Sequence, residues 1–391
     1  MQLADFTIDA SGVVKRTLTG YDAFVPNPLP PSLAISWELA SAVSEADRGL
    51  SELAGVGRTL PNPHLLISPF MRREAVLSSR IEGTQASLSD LFFFQTSGRV
   101  RPEVPDVREV HNYLKALEYG LSRVKALPLS LRLIREIHAR LMEGVRRQHL
   151  TPGEFRTSQN WIGPPGCTLN DATFVPPPVE EMKQTLGSLE TFLHTDSALP
   201  PLVRLAFIHY QFEAIHPFLD GNGRVGRLLL ILLLCEGRLL SQPLLYLSAY
   251  FERYRADYYR LLLEVSQKGN WLGWVQFFLR GVAEQSRDAI TRSDQVLRLW
   301  QDYRRRLQTA RSSALPLQLL DELFSYPVIT VGLATRRLKV TRATGNKVIQ
   351  KLVRAGILEE ATGVKYRRIY TAPEIIRTIE TPEAVPDPGR V

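Results

Sequence analysis

The densest group of chemistry-bearing residues is HPFLDGNGRVGR at 216–227. His216 precedes Pro217, and a residue before proline is pushed out of helical geometry. A helix arriving from about Leu202 should therefore end there, with its imidazole at the mouth of a loop. Gly221 and Gly223 permit close backbone approach or positive φ. A helix restarting near Gly223 or Arg224 offers unpaired N–H groups and the positive end of its dipole, which together make an anion site. Successive N–H groups of the Gly221-Asn222-Gly223 turn can add a nest. Arg224 and Arg227, three apart, project from neighbouring faces of the first turn, and guanidinium forks suit phosphate oxygens. Two cations at a helix N-terminus oppose the dipole, so an anion held between them explains them better. Asp220 fits such a site if Mg²⁺ links it to phosphate oxygens. The stretch thus reads as a phosphate cradle, a metal carboxylate and a base on one loop. It lacks the G-K-[ST] of a Walker motif and the spacing of a dinucleotide fingerprint.

The surrounding sequence is mostly helical. Apolar residues recur at helical spacing over 33–57, 68–83, 107–124, 130–145, 179–195, 201–216 and 223–237. The run from Leu228 to Cys235 is far short of the about 20 residues of a bilayer span, so it predicts a buried core helix. The Gly- and Pro-rich stretch 151–178 interrupts the helices; a loop of that length inside a helical domain is more often functional than not, and "TFVPPP" predicts a short edge strand. Residues 281–310 read as a polar helical connector. The two cysteines, Cys167 and Cys235, cannot build a disulfide framework or a zinc site, which fits a reducing cytosol, and the N-terminus has no signal-peptide pattern. Charge is uneven: 311–372 holds 11 Lys/Arg against 4 Asp/Glu, a basic block suited to a polyanion.

The stretch 216–227 resembles the full signature of the Fic family, H-P-F-x-[DE]-G-N-G-R-x-x-R. SSRIEGT at 78–84, GEFRTSQNWIG at 153–163, FVPPPVEEM at 174–182 and HYQFEAIHPF at 209–218 are similar to segments of bacterial Fic proteins, and the likeness runs from about 30 to 300. The resemblance implies a mostly α fold with a β-hairpin flap, and transfer of AMP from ATP to a Ser, Thr or Tyr hydroxyl of a target protein or of the chain itself. It implies His216 as general base, Asp220 holding Mg²⁺, and Gly221, Asn222, Gly223, Arg224, Val225, Gly226 and Arg227 as the ATP-binding run. Phe218 is expected as a core anchor under the loop. YFERYRADYYR at 250–260 resembles the adenine-side helix, with Tyr254 where an Asn is common; Tyr258 and Tyr259 are the candidates for the base, or else core aromatics. Phe174 and Val175 would line the target-docking flap by strand addition. SSRIEG matches the inhibitory pattern [ST]-x-x-x-E-[GN], with Ser78 and Glu82 on one helix face and Glu82 competing for Arg227. Family members often form dimers.

Within 329–360, Thr330 and Thr341 are N-cap candidates and Gly356 a terminator. Ala334, Leu338, Val340, Ala343, Val348, Leu352 and Val353 supply an inner face. With the alternating 357–372, this segment resembles a winged helix-turn-helix. Arg342, Asn346 and Lys347 would read base edges, and Lys365, Arg367 and Arg368 would touch phosphates; protein docking is the other use of such a module. The expected organisation is a helical extension at 1–100, a catalytic core at 101–300 with flap 151–178, a winged helix at 311–375, and a disordered tail at 376–391, in a cytoplasmic protein without membrane contact. Two rival functions stand beside AMP transfer: a nucleotide-sensing DNA-binding regulator, and AMP removal using Glu82.

Overall fold

The structure is a computed structural model describing residues 1–59, 62–98, 104–145, 151–308, 314–362 and 368–380. It opens with an antiparallel hairpin, β1 (Gly12–Arg16) and β2 (Asp22–Pro26). No strand pattern in the sequence predicts this hairpin. A Cβ at Gly12 would overlap the Val25 carbonyl, which explains a glycine where the strands meet most closely. The long helix α1 (Trp37–Thr59) begins later than position 33, because the Ser36 hydroxyl accepts the Leu39 N–H and fixes the start there. Then come α2 (His64–Ile81), α3 (Leu88–Ser97), α4 (Val107–Arg123) and α5 (Leu131–Leu141). After the 151–178 segment, α6 (Val179–His194), α7 (Pro201–Ile215) and α8 (Asn222–Glu236) complete the centre. Leu228, Leu229, Leu230, Ile231 and Leu232 of α8 are buried all round, so the apolar run is a core helix as expected.

Helices α9 (Ser248–Arg253) and α10 (Arg255–Lys268) precede α11 (Trp271–Leu307). This 37-residue helix is about 55 Å long at 1.5 Å per residue. It absorbs the stretch expected as a polar connector. Ala283, Ala289, Val296, Tyr303 and Leu307 are buried along it, so it is a spine packed lengthwise on α1 and not a linker. Among the described residues, no helix is long and apolar enough to cross a membrane.

The C-terminal part runs α12 (Leu315–Ser325), β3 (Val328–Thr330), α13 (Val331–Leu338), α14 (Arg342–Arg354), β4 (Glu359–Glu360), β5 (Ile369–Thr371) and α15 (Pro373–Glu380). Its antiparallel sheet has the order β3-β5-β4. Thr330 and Thr341 cap α13 and α14 as expected, accepting the N–H of Leu333 at 3.2 Å and of Thr344 at 3.3 Å. Ala343 is exposed and Ile349 fills the inner face in its place. A Cβ at Gly345 would overlap Thr335 Oγ1, so glycine lets α13 and α14 close on each other. The expected disordered tail begins too early: residues 376–380 belong to α15, whose Ile375, Ile376 and Ile379 are buried. Arg292 on α11 donates to the Thr378 and Ile379 carbonyls at 3.1 and 3.0 Å, satisfying that helix end.

This C-terminal part lies against the back of α2. The buried Arg72 of α2 sits over the Tyr326 ring at 4.8 Å and donates to Gln95 at 2.9 Å. Thr96 on α3 donates to the Val328 carbonyl at 2.9 Å.

Candidate functional site

The site forms where the end of α7, the start of α8 and the end of α2 converge. His216 terminates α7 in the left-handed region at φ 49°, a conformation that a non-glycine residue adopts under constraint. The constraint comes from two side chains of the 153–163 stretch. The fully buried Arg156 donates from Nε to the His216 carbonyl at 3.0 Å. Asn160 donates from Nδ2 to the carbonyls of His216 at 3.2 Å and Phe218 at 2.8 Å. Phe218 is buried beneath the loop, as expected, and stacks on His138 with centroids 3.7 Å apart. His138 accepts the Gly153 N–H at Nδ1, at 2.9 Å, which leaves Nε2–H to donate to the Asp220 carbonyl at 3.1 Å. Burial pulls the pKa of His138 down to about 4, so it holds the loop as a neutral ring. Arg156, Asn160 and His138 carry the loop geometry; the first two lie in the family-like stretch 153–163, but the sequence reading gives none of the three a role.

His216 lies partly open to the cleft. Surrounding protein still strips its solvent, and that desolvation lowers its pKa to about 4; donation toward the Glu213 carbonyl, at 3.3 Å from Nδ1, offsets this only in part. With Nδ1–H turned to that carbonyl, the Nε2 lone pair is left as a base.

The first turn of α8 has the backbone geometry that an anion site requires. Its first helical bond is Val225 N–H to the Gly221 carbonyl at 2.9 Å, so the N–H groups of Asn222, Gly223 and Arg224 have no partner inside the helix. Gly221 takes φ 81°, the conformation that glycine permits. The Asn222 side chain does not face a ligand: it brackets Phe218, accepting its N–H and donating to its carbonyl, both at 2.8 Å. Val225 is wholly buried with its N–H already spent, and Gly226 packs against Glu213. These two face the core and not a nucleotide, which corrects their inclusion in the ATP-binding run. Tyr258 takes the other of its two readings, that of a core aromatic. It is 1% exposed, with its hydroxyl 2.8 Å from His209 Nε2, whereas Tyr259 is 41% exposed and open to a ligand.

Glu82 caps α2, and Gly83 follows at φ 98°. Its carboxylate lies directly over the first turn of α8, where a Cβ on Gly223 would overlap Oε1. Arg227 Nη2 donates to Glu82 Oε1 at 2.6 Å and to the Ser78 carbonyl at 2.9 Å, while Nε donates to Ser78 Oγ at 2.9 Å. Burial alone would raise the Glu82 pKa, but the Arg227 charge and hydrogen bond, with Arg224 and His216 behind them, hold it below the usual carboxylate range. Arg227 Nη1 and Arg224 Nε remain buried donors without partners. Glu213, beside Arg227 and Glu82, is pushed up to about 8, chiefly by burial.

Asp220 is the one carboxylate on the loop. Its Oδ1 accepts the Gly221 N–H at 2.6 Å and lies 3.5 Å from Arg224 Nη2. No group of three or more potential metal ligands occurs among the described residues. A lone carboxylate beside an anion cradle suits Mg²⁺, which completes its shell with phosphate oxygens and water.

The flap at 151–178 is tied by one antiparallel pair, Ile162 and Phe174, with N–H···O bonds of 2.9 and 3.0 Å. Phe174 and Val175 are not free for docking. Their side chains are buried, both polar backbone groups of Phe174 bond Ile162, and the Val175 carbonyl accepts the Phe24 N–H of β2 at 2.9 Å. The exposed side of the flap is instead the segment carrying Trp161 and Ile162, 41% and 37% exposed.

On α14, Arg342, Asn346 and Lys347 are exposed together. Arg368 is exposed but ion-paired with Glu360 at 3.2 Å, and Lys365 and Arg367 lie outside the described residues.

Comparison with known proteins finds family matches over two stretches of the chain. Residues 40–122 match the Fic/DOC family N-terminal profile and residues 128–234 the Fic/DOC family profile. The chain carries Fic/DOC family domains. It is 30% identical over 219 residues to protein adenylyltransferase fic-1 of Caenorhabditis briggsae, an overlap of 54% of this chain and 39% of that protein. It is 29% identical over 176 residues to a probable protein adenylyltransferase of Aquifex aeolicus, 44% of this chain and 49% of that one. The chain therefore spans less than half the length of these curated relatives. A Fic family protein from Desulfovibrio desulfuricans superimposes with a TM-score of 0.57 at 20% identity, over 88% of this chain and 98% of that one. A Fic domain protein from Bacteroides thetaiotaomicron gives 0.52 at 20%, over 65% and 96%. These two establish the Fic fold.

Proposed function

We propose that this chain transfers AMP from ATP to a hydroxyl of a protein and that Glu82 restrains it. The single observation carrying this reading is a carboxylate lying in an anion cradle and bonded to the arginine that ends the signature. A phosphate is the natural replacement: it would receive the free N–H groups of the first turn of α8 and satisfy the orphaned donors of Arg224 and Arg227. Relatives named protein adenylyltransferase support the reaction class.

In this mechanism His216 Nε2 takes the proton of the attacking hydroxyl. The hydroxyl oxygen bonds to the α-phosphorus, the bond to the bridging oxygen breaks, and pyrophosphate leaves. Arg224 and Arg227 grip the departing phosphates. Mg²⁺ held by Asp220 would neutralise phosphate charge. Tyr259, open on α10, is the candidate to stack on adenine. The test is incubation of the chain and its Glu82→Gly variant with labelled ATP, with and without cell lysate. Label on protein that requires His216 supports the reading, and none in either variant overturns it.

A second activity is favoured by the exposed Arg342, Asn346 and Lys347 at the start of α14, which follows α13 after a short turn and lies beside a small antiparallel sheet. We infer that this winged-helix-like module binds duplex DNA through that face.

A further inference from the structure

The two signature arginines are each held by a carboxylate, but by opposite ends, and this assigns a role to a residue outside the signature. Arg227 is gripped along its Nε–Nη2 edge by Ser78 and Glu82. That edge is the one a guanidinium offers side-on to phosphate, so Glu82 competes with substrate. Arg224 is held differently. Its Nη1 donates to Glu109 Oε2 at 2.8 Å, its Nη2 is only 3.5 Å from Asp220, and its Nε is buried without a partner. Glu109 therefore takes the far end of the guanidinium and leaves Nε without a protein partner and Nη2 in only a 3.5 Å contact with Asp220. It stands in the first turn of α4, and the Arg224 side chain beside it is 3% exposed.

We infer that Glu109 is a positioning residue for Arg224: it anchors Nη1 so that the Nε–Nη2 edge faces the nucleotide phosphates. This inference rests on the AMP-transfer reading. Glu82 and Glu109 then act with opposite signs on two adjacent arginines, one masking its partner and the other aiming it. If Asp220 held a cation, its 3.5 Å contact with Arg224 would loosen, and Glu109 would be the main fixed point of that guanidinium.

The experiment compares Glu82→Gly, Glu82→Gly/Glu109→Gln and Glu82→Gly/Glu109→Asp for kcat and KM with labelled ATP. Melting temperature and the Kd for a non-hydrolysable ATP analogue with Mg²⁺ are measured alongside. Glu109→Gln keeps the shape and loses the charge. It should lower kcat/KM for ATP on the order of 10- to 100-fold, since misplacement of a catalytic group by about 1 Å has effects of that size. The melting temperature should hold, and Glu109→Asp should restore part of the loss. Unchanged kcat/KM overturns the inference. So does faster transfer by Glu109→Gln in the otherwise native chain, which would make Glu109 a second brake. If Glu82→Gly transfers no AMP, it is the transfer reading that fails, and the analogue then decides on Glu109: weaker binding by about tenfold or more supports aiming of Arg224, and equal affinity overturns it.

Discussion

Replacing Glu82 with glycine should release the transfer reaction, and the structure sets the scale. The side chain makes one charge-assisted hydrogen bond to Arg227, at 2.6 Å, in a place where Arg227 is 2% and Glu82 35% exposed. Such bonds contribute about 1.5–3 kcal/mol net, and partial exposure of Glu82 argues for the middle of that range. A carboxylate at a helix N-terminus adds about 0.3–1 kcal/mol. Phosphate binding must displace both, so removal should return about 2–3 kcal/mol. At 1.4 kcal/mol per factor of ten, kcat/KM for ATP should rise roughly 30- to 150-fold. Glu82→Gln, which keeps an acceptor over the first turn but no charge, should fall between parent and glycine variant. The assay is incorporation of label from α-labelled ATP into the chain itself and into lysate proteins, with initial rates across ATP concentration. Glu82→Gly combined with Arg227→Ala should stay near background, because the arginine that the first change frees is absent; effects on one shared interaction do not add. Transfer by Glu82→Gly within about threefold of the parent would refute the reasoning, as would a double variant as active as Glu82→Gly.

Other consequences can be measured with the same material. His216→Ala in the Glu82→Gly background should lower transfer by about 10²- to 10⁴-fold with nucleotide affinity nearly intact. Burial holds His216 at about 4, so the base stays neutral down through pH 6 and its contribution disappears only as pH falls toward 4; a decline in rate centred near 6.5 would contradict this. Arg156→Ala leaves the buried His216 carbonyl without that donor, so about 1–3 kcal/mol of stability should go, read by urea unfolding, together with most of the activity. Arg342→Ala and Lys347→Ala should weaken duplex DNA binding by the full chain, and for every phosphate a variant no longer neutralises the log–log salt slope should shrink by about 0.9.

Helix positions from α4 to α8 were legible because apolar spacing and flanking breakers agree, and their ends fall within a few residues of the expected ones. The loop 216–227 was legible for the same local reason: a proline, three glycines and two arginines say how twelve residues fold. Which way each residue faces was not legible. Val225, Gly226 and Tyr258 sit in sequence beside the residues proposed to face a nucleotide but point into the core, and only packing decides that. Nor could local pattern show the roles of Glu109, His138 or Arg156, whose partners lie 115, 82 and 60 residues away. The Ile-rich face of α15 was hidden by its proline-rich flank, and α11 looked like a connector because charged residues such as Arg287, Asp294, Arg298 and Arg305 crowd its outer side while its buried stripe includes polar Gln285, Ser286, Arg292 and Ser293.

The contact between Glu82 and Arg227 joins residues 145 apart within one polypeptide. Its closed fraction is consequently a property of each molecule and does not vary with how many copies a cell contains. Dilution cannot release it and overproduction cannot saturate it, in contrast to a restraint supplied by a second protein, where the ratio of the two partners sets activity. What shifts the balance is a change in local free energy near the end of α2, or a nucleotide concentration high enough to compete with an intramolecular ligand at fixed effective concentration. On the proposed reading, the resting output of such a molecule would be proportional to its abundance, and its gain would be set by ATP occupancy and by forces on one helix.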